Sequence, residues 1–383
     1  MTGPHAGFER RVLSALDASP SRIPVIPGGC GTGRTWLLHR LRERLGRGAA
    51  QYIDVERCAT TPERFLQAVT AASPFPPHGD RTPATAREAF DALLAYFDTA
   101  RAPGGAPCTF LLDEVLELRT FESFPGLRHV LRDLLGGLSA SPNRFVLTTR
   151  YVARAHRLLR DATSRFEVMH QPPLAASDVT DILAPAFNGF EQTPTDDRDY
   201  LARLVQSLTD GRPAYVRAIA DTMSHMGRGA DPISALSALL SVGGALDRWC
   251  RFCYELRLHR ARGYGALKAI LDILAHEEPL TLTEISLRLH RTPGSTKDYL
   301  SWLEDVDLVS SRQKRYSFMD PMLRLWVRLH CRPTPPADED VAREVQRYAL
   351  ARVPHPEPAP ALAYAGVEAT PEERKSWGII EID

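Results

Sequence analysis

The chain has 383 residues, 44% of them hydrophobic, and 47 basic residues balance 47 acidic ones for no formal net charge. That length can bury the cores of two or three domains, and the neutral balance excludes a protein built mainly to coat nucleic acid while leaving room for a local basic patch. The opening "MTGPHAGFERRVLSALDASP" breaks its apolar positions with charges, and no run of about 18 apolar residues follows, so neither a secretion signal nor a membrane span is expected, and a soluble cytoplasmic protein is.

Short apolar runs alternate with longer helical stretches over residues 1–175, the pattern of an α/β domain whose parallel sheet carries helices on both faces. "RIPVIPG" predicts a strand that runs straight into the glycine loop "GGCGTGRT", Gly28 to Thr35, and apolar positions from Thr35 to Leu45 have helical spacing. "AAQYIDVE" predicts a second strand, "PERFLQAV" and "AREAFDALLAYF" two helices, "CTFLLDE" a buried strand and "RFVLTTR" another. "RFEVMHQPPL" predicts a fifth strand, ended by Pro172 and Pro173. Residues 176–259 read as nearly all helical, a lid-like domain. Over 260–332, "GALKAILDILA", "LTLTEISLRLH" and "STKDYLSWLEDV" followed by "LVSSRQKRYSFMD" predict three helices and a hairpin, a winged-helix arrangement. Residues 333–383 begin proline-rich and are expected to wrap or hang rather than pack as a domain. Six cysteines over this length form no disulfide framework. Cys250 and Cys253 have no second pair at zinc spacing and read as buried thiols on neighbouring helical turns, with metal or redox chemistry as the lesser alternative.

The glycine loop has the spacing of a phosphate-binding loop, G-x-x-x-x-G-K-[ST], with Arg34 where lysine is expected. Between a strand and a helix, the backbone N–H groups of Gly29, Cys30, Gly31, Thr32, Gly33, Arg34 and Thr35 can converge on an anion, helped by the positive end of the helix that Trp36 continues. With Gly28, Thr149 and Pro213 these residues make the candidate cofactor-binding set. A glycine-rich turn without a ligand is the plainer alternative. Thr35 and Asp113 are candidate Mg²⁺ ligands, and Glu114 is placed to orient or deprotonate an attacking water. Thr148, Thr149 and Arg150 end the fourth strand, where a hydroxyl and a guanidinium can sense a terminal phosphate; an arginine that only caps the strand end is the alternative.

Gly28 to Thr35, "FLLDE", "VLTTR", "PPL", "TDGRPAYVRAIA" and "YSFMDPMLRLWVRLH" resemble the archaeal-type ATPase family in the AAA+ and STAND branch of P-loop NTPases, over roughly residues 8–330. The resemblance implies five parallel strands with the phosphate-loop strand at the centre, a helical lid, a C-terminal winged helix, and ATP or ADP with Mg²⁺ as cofactors. It assigns the acidic pair to Asp113 and Glu114, the sensor to Thr149, the signature arginine to Arg150 and the lid motif to Gly211-Arg212-Pro213. It also implies an arginine reaching into a neighbouring subunit, with Arg165 in that position and Arg160 as a competitor; a simple cap on the strand from Phe166 is the other reading of Arg165. Arg34 departs from the family pattern. Its wider, planar group keeps the charge that binds phosphate but not the compact ammonium geometry that serves hydrolysis.

Three functions follow as expectations. One is a nucleotide-dependent switch, with slow or partner-dependent ATP hydrolysis, that acts on a protein partner and assembles as a homo-oligomer. The second is a DNA-handling ATPase resembling replication initiators or transposition helpers, and the third a pseudo-ATPase scaffold. Against DNA, the recognition-helix position carries Asp298, Glu304, Asp305 and Asp307 beside Lys297, and only the wing, with Arg312, Lys314 and Arg315, is basic. Trp302 and Trp326 have spacings that suit core packing.

Overall fold

Ile23–Pro27 (β1) is buried on both faces, as an uninterrupted apolar run should be when helices cover a parallel sheet from both sides. In the computed structural model, which describes residues 5–76, 83–187, 195–227, 230–259 and 263–353, it joins Ala50–Asp54 (β2), Thr109–Asp113 (β3), Arg144–Thr149 (β4) and Phe166–Val168 (β5). The five strands are parallel in the order β2-β3-β4-β1-β5. The phosphate-loop strand is therefore interior but not central. The middle place belongs to β4, and short β5 closes the edge beyond β1.

Successive strand residues face opposite sides, and the core divides accordingly. Ile26, Leu111 and Val146 pack beneath Ala6–Leu16 (α1) and Arg34–Leu45 (α2). Val25, Phe110, Leu112, Phe145 and Leu147 pack against Val55–Cys58 (α3), Pro62–Ala71 (α4), Ala86–Thr99 (α5) and Val130–Ala140 (α6). Phe110 is the hub of that second layer, with ring centroids 4.9 Å from Phe97, 5.7 Å from Tyr96 and 5.5 Å from both Phe75 and Phe145. Val152–Leu159 (α7) leads from β4 towards β5.

Beyond the sheet, Ala176–Leu183 (α8), Thr195–Thr209 (α9), Pro213–Met226 (α10), Pro232–Leu240 (α11) and Ala245–His259 (α12) are helical, as expected. Tyr264–His276 (α13), Leu282–Leu289 (α14) and Pro293–Asp305 (α15) follow. Thr281 caps α14 in a box with Glu284, and Thr292 caps α15 ahead of Pro293. Val309–Arg312 (β7) and Arg315–Phe318 (β8) form a hairpin, which Leu280–Thr281 (β6) extends to three strands. Gln313 and Lys314 both have positive φ, 51° and 61°, the demand of a two-residue hairpin turn. Pro321–His330 (α16) follows. One continuous apolar cluster from Leu174 to Ala349 fills the interior of α8 to α16, with Trp326 inside it and Trp302 against it.

Residues 333–353 lie against the helical body. Asp338–Leu350 (α17) packs on α11 and α16, burying Val341, Val345 and Ala349 in that cluster. Tyr348 Oη donates to Leu208 O at 2.8 Å, and Arg352 pairs with Asp210 at 2.7 Å. Pro333, Pro335 and Pro336 occupy the connection to α16, the prolines from Pro354 onward lie outside the described residues, and the helix between them has a buried stripe of its own. Residues 354–383 lie outside the described residues. Among the described residues no helix is long and apolar enough to cross a membrane.

Phe110→Ala should cost about 3–5 kcal/mol, because the strands around it cannot close the space left by a fully buried ring. A shift of the chemical-denaturation midpoint well below that size would mean that the aromatic layer repacks.

Candidate phosphate-binding site

Gly28 leaves β1 and the chain turns through Gly31 and Gly33, with φ of 77° and 86°, before α2 begins at Arg34. At Gly33 a side chain would be strained by the backbone angle, and its first carbon would lie 3.4 Å from Pro213 Cγ and 3.5 Å from Gln171 Nε2. The loop is thus as tightly shaped as its glycines suggested. Its ceiling comes from α10: Arg212 Nη1 donates to Cys30 O at 3.0 Å and Ala214 N to Gly31 O at 3.1 Å, while the Tyr215 ring lies over Gly31. Arg212 and Tyr215 both bond Asp320 Oδ2, at 2.5 and 2.8 Å, and Asp320 Oδ1 caps α16 through Met322 N.

Arg34 is buried and its fork spans the site. Nη1 donates to Gly29 O at 2.7 Å and Nη2 to Glu114 Oε1 at 2.5 Å, while Nε is buried without a hydrogen-bond partner. Glu114 sits just past β3 with φ 57°, a left-handed conformation uncommon for a residue with a side chain, and its N–H donates to Thr148 Oγ1 at 3.1 Å. Its second oxygen accepts from Arg150 N at 2.8 Å and pairs with Arg150 Nε at 3.2 Å. Arg150 also forms an ion pair with Glu56. Burial pushes the Glu114 carboxyl upward, but the Arg34 and Arg150 guanidinium groups together outweigh it and hold the group below the ordinary carboxylate range. Burial likewise works against the Arg150 charge and is outweighed by Glu114 and Glu56, which raise it.

Asp113 faces the start of α2. Thr35 Oγ1 donates to Asp113 Oδ2 at 2.6 Å, Tyr52 Oη to the same oxygen at 3.0 Å, and Thr148 Oγ1 to Oδ1. Desolvation, followed by the Asp113 charge, pushes the Tyr52 phenol well up, so it stays a donor. Thr35 and Asp113 form a compact pair of hard oxygen donors beside the glycine cradle and Arg34, a donor set suited to Mg²⁺ with phosphate.

The structure brings together most of the residues expected at the site, moves three, and adds Cys253. Thr149 is fully buried, and its hydroxyl accepts from Tyr151 N at 3.1 Å; it is Thr148 that touches the acidic pair. Arg165 stands at the opposite end of the sheet, where its guanidinium donates to Ser21 O, Ser139 O and Ser141 O at 3.0, 2.6 and 2.9 Å. It ties together the segments that enter the strands, the cap-like role that was the other reading of this residue. Trp36 turns towards α10, with Arg40 and Arg217 over its ring at 5.1 and 4.9 Å. Cys253 is not a buried thiol: it forms a disulfide with Cys30 of the loop, while Cys250 remains a buried free thiol.

Five residues escaped the sequence reading of the site: Tyr52, Glu56, Gln171, Arg212 as a contact of the loop, and Arg257. The Gln171 amide is buried beside Gly33 and Pro213 with neither its nitrogen nor its oxygen bonded. Position after the fifth strand, at the sheet edge where the loops gather, was the available signal for Gln171. Nothing local marks Arg257, which lies on α12 and reaches Asp307 O at 2.7 Å.

A glycine loop between β1 and α2, an acidic pair ending β3 and a five-stranded parallel sheet define a P-loop NTPase fold. A Walker-type ATPase of Pyrococcus abyssi shares it, with a TM-score of 0.63 at 17% identity over 85% of this chain and 95% of that one. More remote matches include the ORC1 protein of Aeropyrum pernix in complex with DNA (TM-score 0.43, 18% identity, 92% of this chain and 94% of that one). A RuvB variant of Thermotoga maritima has a TM-score of 0.41 at 13% identity, over 82% and 91% of the two chains. No protein-family model matches the chain, and no curated protein matches it significantly.

Because folding lowers the proton affinity of Glu114, the stability it contributes is complete above its unfolded value of about 4.5 and is lost as pH falls through the lower folded value. Glu114→Gln should therefore flatten the acid limb of the stability profile below about pH 4.5, measured by denaturant midpoints. An acid limb of unchanged slope would contradict the pairing.

Proposed function

We propose that this chain is a nucleotide-dependent switch of the AAA+ type that binds ATP or ADP with Mg²⁺ and hydrolyses ATP slowly or only with a partner. The observation that carries the reading is Arg34, whose fork joins the glycine loop to Glu114 and keeps one buried donor unbonded. A polyphosphate entering the cradle would offer Arg34 several anionic oxygens in exchange for one carboxylate, and Glu114 would be released towards water. Thr35 and Asp113 would hold Mg²⁺, which when bound neutralises phosphate charge. Arg150 and Thr148, which both touch Glu114, are read as the groups that respond to a terminal phosphate, and the unbonded Gln171 amide beside Gly33 as a further ligand contact. Arg212 couples the loop to Asp320 and so to α16, which gives the C-terminal helices a route to respond.

The slow-turnover part of the reading rests on geometry. The Arg34 guanidinium is wider and planar and grips two oxygens side by side, so it would not hold the transferring phosphoryl group as the compact ammonium of lysine does. An error of about 1 Å in such a site costs on the order of a hundredfold in rate.

The unit α13–α15 with its hairpin is read as a winged helix whose acidic face docks within the chain. Asp305 pairs with Arg157, and Asp307 Oδ1 accepts from Ala153 N at 3.2 Å, both on α7 of the sheet body. Those are two of the acidic residues that argued against DNA, and their partners within the chain weigh against a duplex-reading role for that face; the reading carried forward is a switch that acts on a protein partner and assembles as a homo-oligomer. The alternative, an ATPase that handles DNA, would have to use the exposed Arg312, Lys314 and Arg315 instead.

Gly33→Val should lower ATP and ADP affinity by more than about tenfold, some 1.4 kcal/mol, in calorimetric titrations. Unchanged affinity would remove the assignment of the loop. Arg34→Ala should weaken binding by about 1.5–3 kcal/mol, the usual worth of a charged hydrogen bond. Arg34→Lys should keep binding and raise phosphate release, by up to about a hundredfold. Equal turnover in Arg34→Lys and the natural chain would place the limiting step elsewhere.

A further inference from the structure

The loop contains a second chemistry that phosphate binding does not use. Cys30, third residue of the loop, is bonded through sulfur to Cys253 on α12, 223 positions along the chain. The remaining cysteines, Cys58, Cys108, Cys250 and Cys331, are free thiols. A chain of this length with extensive cores needs no such staple, and an isolated bond beside four unpaired thiols is not a disulfide framework. Its position is specific. It joins the phosphate cradle to the helices that cover it, alongside the Arg212 to Cys30 O and Ala214 N to Gly31 O hydrogen bonds.

The surroundings suit exchange. Both cysteines are half-buried, so a small thiol or disulfide has a path to them. Arg257, one turn beyond Cys253 on α12, places Nη2 3.7 Å from Cys30 Sγ. A buried guanidinium there favours the thiolate, which suits Cys30 as the nucleophile that starts closing and as the group that leaves when the mixed disulfide is reduced. With the bond closed, Cys30 cannot move away from α12, and the loop and its cover are held together covalently.

We propose that Cys30 and Cys253 form a redox-modification site for low-molecular-weight disulfides, which sets whether the C-terminal helices can lift from the phosphate loop and so whether nucleotide can exchange. The inference rests on the nucleotide-binding reading above. In the closing reaction the Cys30 thiolate attacks one sulfur of a disulfide RSSR, forming a mixed disulfide and releasing RS⁻. The Cys253 sulfur then attacks Cys30 Sγ and releases a second RS⁻. The two thiol protons go to the two leaving thiolates, so Cys30 and Cys253 are oxidised by two electrons and RSSR is reduced to two RSH. Opening is the same sequence in reverse, driven by excess thiol.

The test uses the full chain equilibrated with oxidised or reduced glutathione, with alkylation and intact mass reporting the bond, and release of a fluorescent ADP analogue reporting exchange. The expected result is a protein lighter by two hydrogens in the oxidised sample, with thiols 30 and 253 protected, and release slowed at least about tenfold. Dithiothreitol should restore it, and Cys253→Ser should exchange at the reduced rate under both conditions. The comparison of oxidised and reduced natural chain needs no variant, so misfolding of Cys253→Ser would not spare the proposal. Absence of the bond at every glutathione ratio, or equal release from both forms, would overturn it while leaving nucleotide binding intact. A reduced protein that retains no nucleotide would overturn the reading on which it rests.

Discussion

The Glu114 carboxylate, gripped by Arg34 on one oxygen and Arg150 on the other, holds the site in shape. A buried ion pair repays the loss of hydration only when its geometry and its further hydrogen bonds are good; here each Glu114 oxygen has its own donor and Arg34 reaches back to Gly29 O, while Arg34 Nε is left without a partner. Three loops meet at that carboxylate: the one after β1, the one after β3 and the one after β4. A lysine at position 34 has one ammonium and could not bridge Gly29 O and Glu114 in the same fork geometry. The residue that departs from the familiar loop is thus matched by the structure around it, since its fork ties Gly29 to Glu114.

A second layer covers the first. Asp320 caps α16 with one oxygen and receives Arg212 and Tyr215 with the other, so the lid motif and the C-terminal helices are fixed by the same residue. Burial pushes the Tyr215 phenol far up, with the Asp320 charge adding to it, so that hydrogen bond persists at ordinary pH. Arg257 and the Cys30–Cys253 bond reach the loop from α12, and Asp305 and Asp307 hold α7 from the end of α15. The phosphate loop is therefore in contact with parts of the chain that lie about half its length away. A ligand that repositions Arg34 would disturb those contacts first.

The parts of this arrangement that depend on local pattern were legible. An apolar run into glycines, then helical spacing, gave the loop its strand and helix, and "FLLDE" gave the acidic pair its place. Parity also contained the answer to Thr148 against Thr149. Val146 lies on the α2 face of β4, as Leu111 does on β3, so Thr148 and Asp113, two residues on from each, share that face, whereas Thr149 turns away. Arg165 was placed by analogy with relatives, and only the neighbouring carbonyls of Ser139 and Ser141 show why it stays at the far edge. Cys30 with Cys253, and Cys30 with Arg257, are pairings across more than 220 residues that no periodicity encodes. Asp338–Leu350 was hidden by the prolines before it, although its buried stripe at Val341, Val345 and Ala349 follows helical spacing.

The account's central claim is that Glu114 and nucleotide phosphate compete for Arg34. Calorimetric affinity for Mg²⁺-ADP in the natural chain and in Glu114→Gln measures that competition directly, since removing the carboxylate charge frees the guanidinium without touching the loop. The account predicts tighter binding in the variant, by about tenfold or more if the pair is worth at least 1.4 kcal/mol. Affinity that is equal or weaker in Glu114→Gln, in a protein shown to be folded, would contradict it.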